Sequence, residues 1–160
     1  MRFSNIFLSA LASIVLLAKA APVTDSNSIP HVFVVNHCPY DVYVSSVDSV
    51  AGPVESVPAG DYWYEDMHYD PAAGVAIKVA TEKDGLFNGS PVFIFAYSIS
   101  PAEKLVWYSL SNIVGDPFSG YRVILHSRKA GACPTLQWPT DNGITRNCAD
   151  TDDLILSLCV

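Results

Sequence analysis

The sequence predicts an all-β protein, a sandwich or a barrel, and three observations lead there. Short runs rich in valine, isoleucine, tyrosine and phenylalanine follow one another: HVFVVN, YDVYVSSV, DYWYEDM, GVAIKVAT, PVFIFAYSIS, KLVWYSLS, YRVILHSR and DLILSLC. Gly, Pro, Asn and Asp punctuate the gaps at GPVESVPAG, EKDGLFNGSP, VGDPFSG and WPTDNG. No stretch has the periodicity of a long amphipathic helix, and strands at this interval build a sandwich or a barrel.

Ahead of the strands, Arg2 opens the chain, Ile6 to Leu17 is apolar apart from Ser9 and Ser13, and Ala18-Lys19-Ala20 has the small-x-small pattern of a cleavage site. Residues 1–20 therefore read as a secretory signal peptide. The apolar run is shorter than the roughly 18 residues of a spanning helix and has no successor, so no membrane insertion is expected. A glycolipid anchor is not expected either, because Leu154 to Val160 is too short for the usual tail and contains Cys159. Residues 21–30 form a Pro- and Ser-containing leader, and 31–160 read as one domain without repeat or internal linker. Removing Arg2 and Lys19 leaves seven basic residues against sixteen acidic ones, a net charge near −9. Such a surface repels nucleic acid and anionic membranes, so neither is an expected partner.

Within the domain, Tyr40, Val42 and Val44 alternate with Asp41, Tyr43 and Ser45, and Val75, Ile77 and Val79 alternate with Ala76, Lys78 and Ala80. Each pattern gives one buried and one wet face. PVFIFAY is apolar on both faces, which predicts the middle of a sheet covered on both sides. Asn88-Gly89 predicts a turn between strands, and Pro91 after Asn88-Gly89-Ser90 argues against use of Asn88 as a glycosylation site. TDDLILSLC could open as a capped helix, but Leu154, Leu156 and Leu158 alternate with Ile155 and Ser157, and we read it as the last strand.

Cys38, Cys133, Cys148 and Cys159 in a secreted chain predict two disulfides, with three possible connectivities that sequence alone does not separate. Chain logic favours Cys133 with Cys148, closing an irregular segment, and Cys38 with Cys159, tying the first strand to the last. A zinc site is the weaker reading, because no C-x-x-C pair occurs.

Several stretches also carry a resemblance. VVNHCPYDVYVSSV resembles the opening strand pair of thaumatin-like proteins, and VWYSLSNIVGDPF resembles their internal strand with a Ser-Asn-Ile-x-Gly turn. Together with KLVWYSLS, Cys133-Pro134 and a terminal Leu-x-Leu-Cys, they resemble the small secreted fungal proteins called yeast-phase-specific or antigenic thaumatin-like proteins. The resemblance implies a β-sandwich, a reduced thaumatin-like fold, and supports pairing Cys38 with Cys159. Thaumatin-like proteins active on glucan have an acidic cleft, whereas Ser109 and Ala96 stand here where its carboxylates would align, and the disulfide-rich second domain is missing. The acidic cleft is therefore not expected.

The densest chemistry lies in DYWYEDMHYD, Asp61 to Asp70. As a strand it puts Asp61, Trp63, Glu65 and Met67 on one face and Tyr62, Tyr64, Asp66 and His68 on the other. Tyr62, Trp63, Tyr64 and Tyr69 with Glu65 and Asp66 are candidate ligand-binding residues, because aromatic plates beside carboxylates suit sugars. The plainer reading is a strand wall with solvated edges. Glycoside hydrolysis needs two placed carboxyls, and neither face offers a clean pair. His68 with Asp70 is the one spacing at which two side chains here could share a metal; the histidines are otherwise scattered singly, and no metal or cofactor is expected. Nucleophilic catalysis has no G-x-S-x-G elbow to rest on.

These readings lead to a secreted, non-enzymatic fungal protein acting at the cell wall or host interface, binding a polysaccharide or a partner protein. The alternatives are a weak glucan hydrolase using Glu65 with Asp66 or Asp70, and a structural wall antigen without a discrete ligand.

Overall fold

A computed structural model describes residues 29–160; the expected signal peptide and residues 21–28 of the leader lie outside the described residues. Eleven strands follow in chain order: β1 His31–Asn36, β2 Val42–Val47, β3 Glu55–Val57, β4 Tyr62–Asp66, β5 Val75–Ala80, β6 Val92–Ser100, β7 Leu105–Ile113, β8 Val123–Ser127, β9 Leu136–Trp138, β10 Thr145–Ala149 and β11 Leu154–Leu158. They form a β-sandwich of a five-stranded sheet, ordered β4-β1-β11-β8-β9, and a six-stranded sheet, ordered β10-β7-β6-β5-β2-β3.

The eight apolar runs all become strands. β3, β9 and β10 come instead from segments that look like turns, because three residues, or a polar TRNCA, bury too little to show a period. Their pairing supplies what their sequence lacks: β10 is held along β7, and β3 along β2.

Period-two alternation sends Val32 and Val34, Val42 and Val44, Ile77 and Val79, and Leu154, Leu156 and Leu158 into the layer between the sheets, where each is fully buried. Phe93, on β6, meets Trp138 edge-on at 5.2 Å and Phe118 at 5.6 Å. Such pairs add about 0.5–1.5 kcal/mol beyond the area they bury. The central place expected for PVFIFAY is correct, since β6 lies between β5 and β7. The expected cover on both sides is not: Ile94 and Ala96 are half-buried and Ser98 is exposed, because among the described residues no further layer lies over the outside of this sheet.

DLILSLC is a strand, and β11 lies parallel to β1, so the first and last strands are neighbours at the centre of their sheet. That pairing carries Cys38 to Cys159, which are joined, while Cys133 after β8 is joined to Cys148 on β10 and links the two sheets. Asn88 and Gly89 lie in the turn between β5 and β6, where Ser90 N–H donates to Asn88 Oδ1 at 2.9 Å.

Candidate functional site

β4 is the edge strand of the five-stranded sheet and pairs antiparallel with β1, with Tyr64 opposite Phe33 and Asp66 opposite His31. Because the register is fixed, all side chains of one parity share a face. Tyr62, Tyr64 and Asp66 therefore point outward beside Phe33 and His31. Tyr62 and Tyr64 are 58% and 56% exposed, which makes this face aromatic yet wet.

Phe33 and Tyr64 stack with centroids 5.7 Å apart and planes 23° off parallel, and Tyr62 lies 6.2 Å from each. The Arg128 guanidinium sits 5.0 Å above the Phe33 ring, within cation–π range. Its Nε is 2.6 Å from Asp153, which also accepts the His31 backbone N–H at 2.8 Å. His31 Nε2 reaches Asp66 at 3.2 Å. A shallow depression of about 410 Å³ results, with three aromatic rings as its floor and ionic groups around them.

The other parity of β4 points toward the six-stranded sheet. Trp63 is half-buried and donates its indole N–H to Glu55 at 2.9 Å. Glu65 accepts the hydroxyls of Ser46 at 3.0 Å and Tyr97 at 3.2 Å, and His68 bridges toward Asp48 at 3.3 Å. Burial pushes the Glu65 carboxyl up, against the lowering by the Ser46 hydrogen bond and His68. Burial likewise raises Tyr97, with the Glu65 charge adding to it.

The six residues expected as one ligand site thus separate. Tyr62, Tyr64 and Asp66 share the outer face, Trp63 and Glu65 lie on the inner one, and Tyr69 sits exposed on the following loop beside Pro71. Glu65 and Asp66 face opposite sides of the sheet and form no acid pair. Asp70 accepts the N–H groups of Ser49, Ala72 and Ala73 and the Ser49 hydroxyl. These bonds, the Ser49 hydroxyl first, hold it well below the usual carboxylate range, which suits a loop clamp rather than a proton donor. His68 turns to Asp48 and Asp70 to Ser49, so these two do not share a metal site.

Glu65 gives a pH prediction. Its folded value exceeds its unfolded one, so its neutral form stabilises the fold below the unfolded value and that contribution is lost as pH rises through the folded value. Glu65→Gln keeps an acceptor for both hydroxyls and removes the charge. The variant is expected to be more stable than the wild type at pH 7, with the gap closing below about pH 4. Urea midpoints of both proteins from pH 3.5 to 7 measure it; a gap independent of pH contradicts the assignment.

The outer face of the six-stranded sheet carries a second groove, and it is here that an acidic cleft would lie. Ala96 and Ser109 are direct neighbours across β6 and β7, and both line it. Two short uncharged side chains stand at the positions where the resemblance aligns the carboxylates of such a cleft.

Sequence reasoning missed Phe33, Arg128 and Asp153 of the aromatic face. The alternation of HVFVVN puts Phe33 and His31 on one side, but nothing local joins them to Tyr64, and Arg128 arrives from the far end of β8.

Comparison with known proteins agrees with this architecture. The chain is 30% identical to the antigenic thaumatin-like protein of Arthroderma benhamiae, over 96% of its own length and 80% of that protein's. Its structure matches that of the protein elicitor MoHrip2 from Magnaporthe oryzae with a TM-score of 0.66 and 25% identity, covering 82% of this chain and 99% of that one. The thaumatin-like xylanase inhibitor TLXI matches with a TM-score of 0.56 at 13% identity, again over 82% of this chain and 99% of that one, and shares the fold. Residues 19–160 match the family described as Blastomyces yeast-phase-specific protein, and the chain belongs to this Bys1 family of thaumatin-like sandwiches.

Proposed function

We propose that this is a secreted, non-enzymatic extracellular protein that binds a polysaccharide through the outer face of its five-stranded sheet. The observation that carries the reading is the row of exposed Tyr62 and Tyr64 beside half-buried Phe33, flanked by His31, Asp66, Arg128 and Asp153. The C–H faces of pyranose rings lie on aromatic rings, and a rim of charged and imidazole groups suits their hydroxyls. An extended, shallow face fits a stretch of polymer or a polymer surface better than a single small sugar. Exposed tyrosines have little reason to cluster for stability alone, since more than half of each remains in water.

Secretion is supported by the N-terminal segment and by two disulfides in so short a chain. The names of the matched proteins, an antigen, an elicitor and an inhibitor, speak for a role in contact rather than turnover. An extracellular protein partner is the variant of this reading that the same face also serves.

The test is retention of the mature chain on insoluble β-glucan, chitin and mannan. Tyr62→Ala combined with Tyr64→Ala is expected to weaken retention about tenfold or more, at roughly 1 kcal/mol for each lost stacking contact. Trp63→Phe, altered on the opposite face, is expected to bind like the wild type. Retention unchanged in the double variant, or absent in the wild type, overturns the reading.

The hydrolase reading keeps one favourable feature, the raised carboxyl of Glu65 beside the Ser46–His68 cleft. Its partner would have to be Asp48, since Asp66 points away and Asp70 is committed. Glucan hydrolysis unchanged by Glu65→Gln removes it. Wall retention without any soluble ligand would favour the structural-antigen reading instead.

A further inference from the structure

The groove on the six-stranded sheet has a regular construction. Strand register sets Ala76, Ala96, Ser109 and Thr145 in one row across β5, β6, β7 and β10. Small side chains in a row make a floor that runs perpendicular to the strands. The neighbouring row on one side is Lys78, Ile94 and Ser111, and on the other Ser98, Trp107 and Asn147. A trough of about 410 Å³ results, floored by small residues and edged by a cation on one rim and an indole on the other. Its size falls within the ~300–1,000 Å³ of small-ligand sites.

Two features select a ligand. Lys78 is half-buried on the sheet face, yet among the described residues no carboxylate lies within ion-pair distance of it, although acidic residues outnumber basic ones by sixteen to nine. Asp48, the acid at the groove's end, is turned to His68 Nε2 at 3.3 Å. Trp107 is 40% exposed and lines the trough. One unpaired cation, one aromatic face and the hydroxyls of Ser98, Ser109 and Thr145 between them match a sugar ring that bears a single carboxylate.

We propose that this trough binds a hexuronate unit within an acidic polysaccharide, its carboxylate on Lys78 and its ring against Trp107. The site is independent of the aromatic face on the other sheet. It stands on rigid central strands, where a ligand meets a preorganised surface rather than a loop. The net charge near −9 repels a polyanion at long range, so the attraction is confined to short range at Lys78, and added salt screens both.

Titration calorimetry with oligogalacturonate, and with the same oligomer reduced to its neutral form, tests the proposal. The wild type is expected to prefer the acidic oligomer at least tenfold, with Lys78→Gln removing the preference and Lys78→Arg keeping most of it. Trp107→Ala is expected to weaken both oligomers. Tyr62→Ala with Tyr64→Ala is expected to leave this binding unchanged, so that failure here and failure of the aromatic-face reading are told apart. Thermal unfolding of each variant within a few degrees of the wild type assures that the fold is intact. Equal affinity for both oligomers, no binding of either, or a preference that survives Lys78→Gln overturns the proposal.

Discussion

Replacing Cys38 and Cys159 together by alanine is expected to cost about 5 kcal/mol of stability. The bond closes a loop with a sequence separation of 121. On the chain-entropy account a 100-residue loop contributes about 4.7 kcal/mol and a 15-residue loop about 3. Cys133–Cys148, with a separation of 15, is therefore expected to cost less when removed.

Net stabilities of single domains run at about 5–15 kcal/mol, so losing the long-range bond approaches the point of unfolding. The link acts on the native state as well as restricting the unfolded one. Parallel strands of distant origin meet only after the whole chain has closed between them, and β1 and β11 are such a pair. Just past them, His37 N–H donates to the Leu158 carbonyl at 3.2 Å, and Cys159 holds a left-handed φ of 58°. A non-glycine residue adopts that conformation at about 1–2 kcal/mol. Urea midpoints of C38A/C159A and C133A/C148A measure the order; a larger loss for the short loop contradicts it.

The sandwich was legible in the sequence because its strands bury one face and wet the other. Val75-Ile77-Val79 and Leu154-Leu156-Leu158 announce their own inner faces whatever pairs with them. β10 does not, since Thr145, Arg146 and Ala149 are exposed and only Cys148 is buried. The candidate site was legible in part for the same reason. Strand parity correctly divides Tyr62, Tyr64 and Asp66 from Trp63 and Glu65 but misplaces His68, because β4 ends at Asp66 and His68 turns to Tyr97 and Asp48 on the side of Glu65. Both sets carry aromatics and acids, so parity does not say which faces water. That depends on β1, whose Val32 and Val34 take the inner side of the same sheet. Asp70 looked like a candidate acid because its backbone partners come from Ser49, twenty-one positions away, and from a turn that exists only once folded. The placing of Lys78 and Trp107 on opposite rims of one groove is set by register across three strands, and no window of sequence contains a register.

Asn36→Ala is expected to lose about 3–5 kcal/mol, close to the long-range disulfide in effect although it removes no cross-link. Asn36 ends β1 and is fully buried. Its side-chain NH₂ donates to the carbonyls of Tyr40 at 2.9 Å, Val57 at 3.0 Å and Pro58 at 3.2 Å, and its Oδ1 accepts the Cys38 N–H at 3.0 Å. Its own backbone N–H donates to the Asp61 carbonyl at 2.9 Å, and its carbonyl accepts the Gly60 N–H at 2.8 Å. One amide thereby gathers the Cys38 turn, the end of β3 and the entry to β4. Alanine takes the side-chain bond from the buried Val57 carbonyl and Cys38 N–H, at about 1–3 kcal/mol for each group that stays unpaired, while the Tyr40 and Pro58 carbonyls lie nearer solvent. Asn36→Asp separates the hydrogen bonds from the shape. It keeps the acceptor for Cys38 but sets a carboxylate against three carbonyl oxygens, so it is expected to be at least as unstable as Asn36→Ala at pH 7. Protonation restores a donor, and part of the loss is expected to return at about pH 4. Because Pro58, Gly60 and Asp61 lead directly into Tyr62, amide exchange in β4 is expected to speed up more than in β6, loosening the aromatic face ahead of the core. Urea titration and hydrogen exchange of the two variants check both parts. A loss under about 1 kcal/mol, or equal acceleration in β4 and β6, would show that the amide fills space at this point and does not organise it.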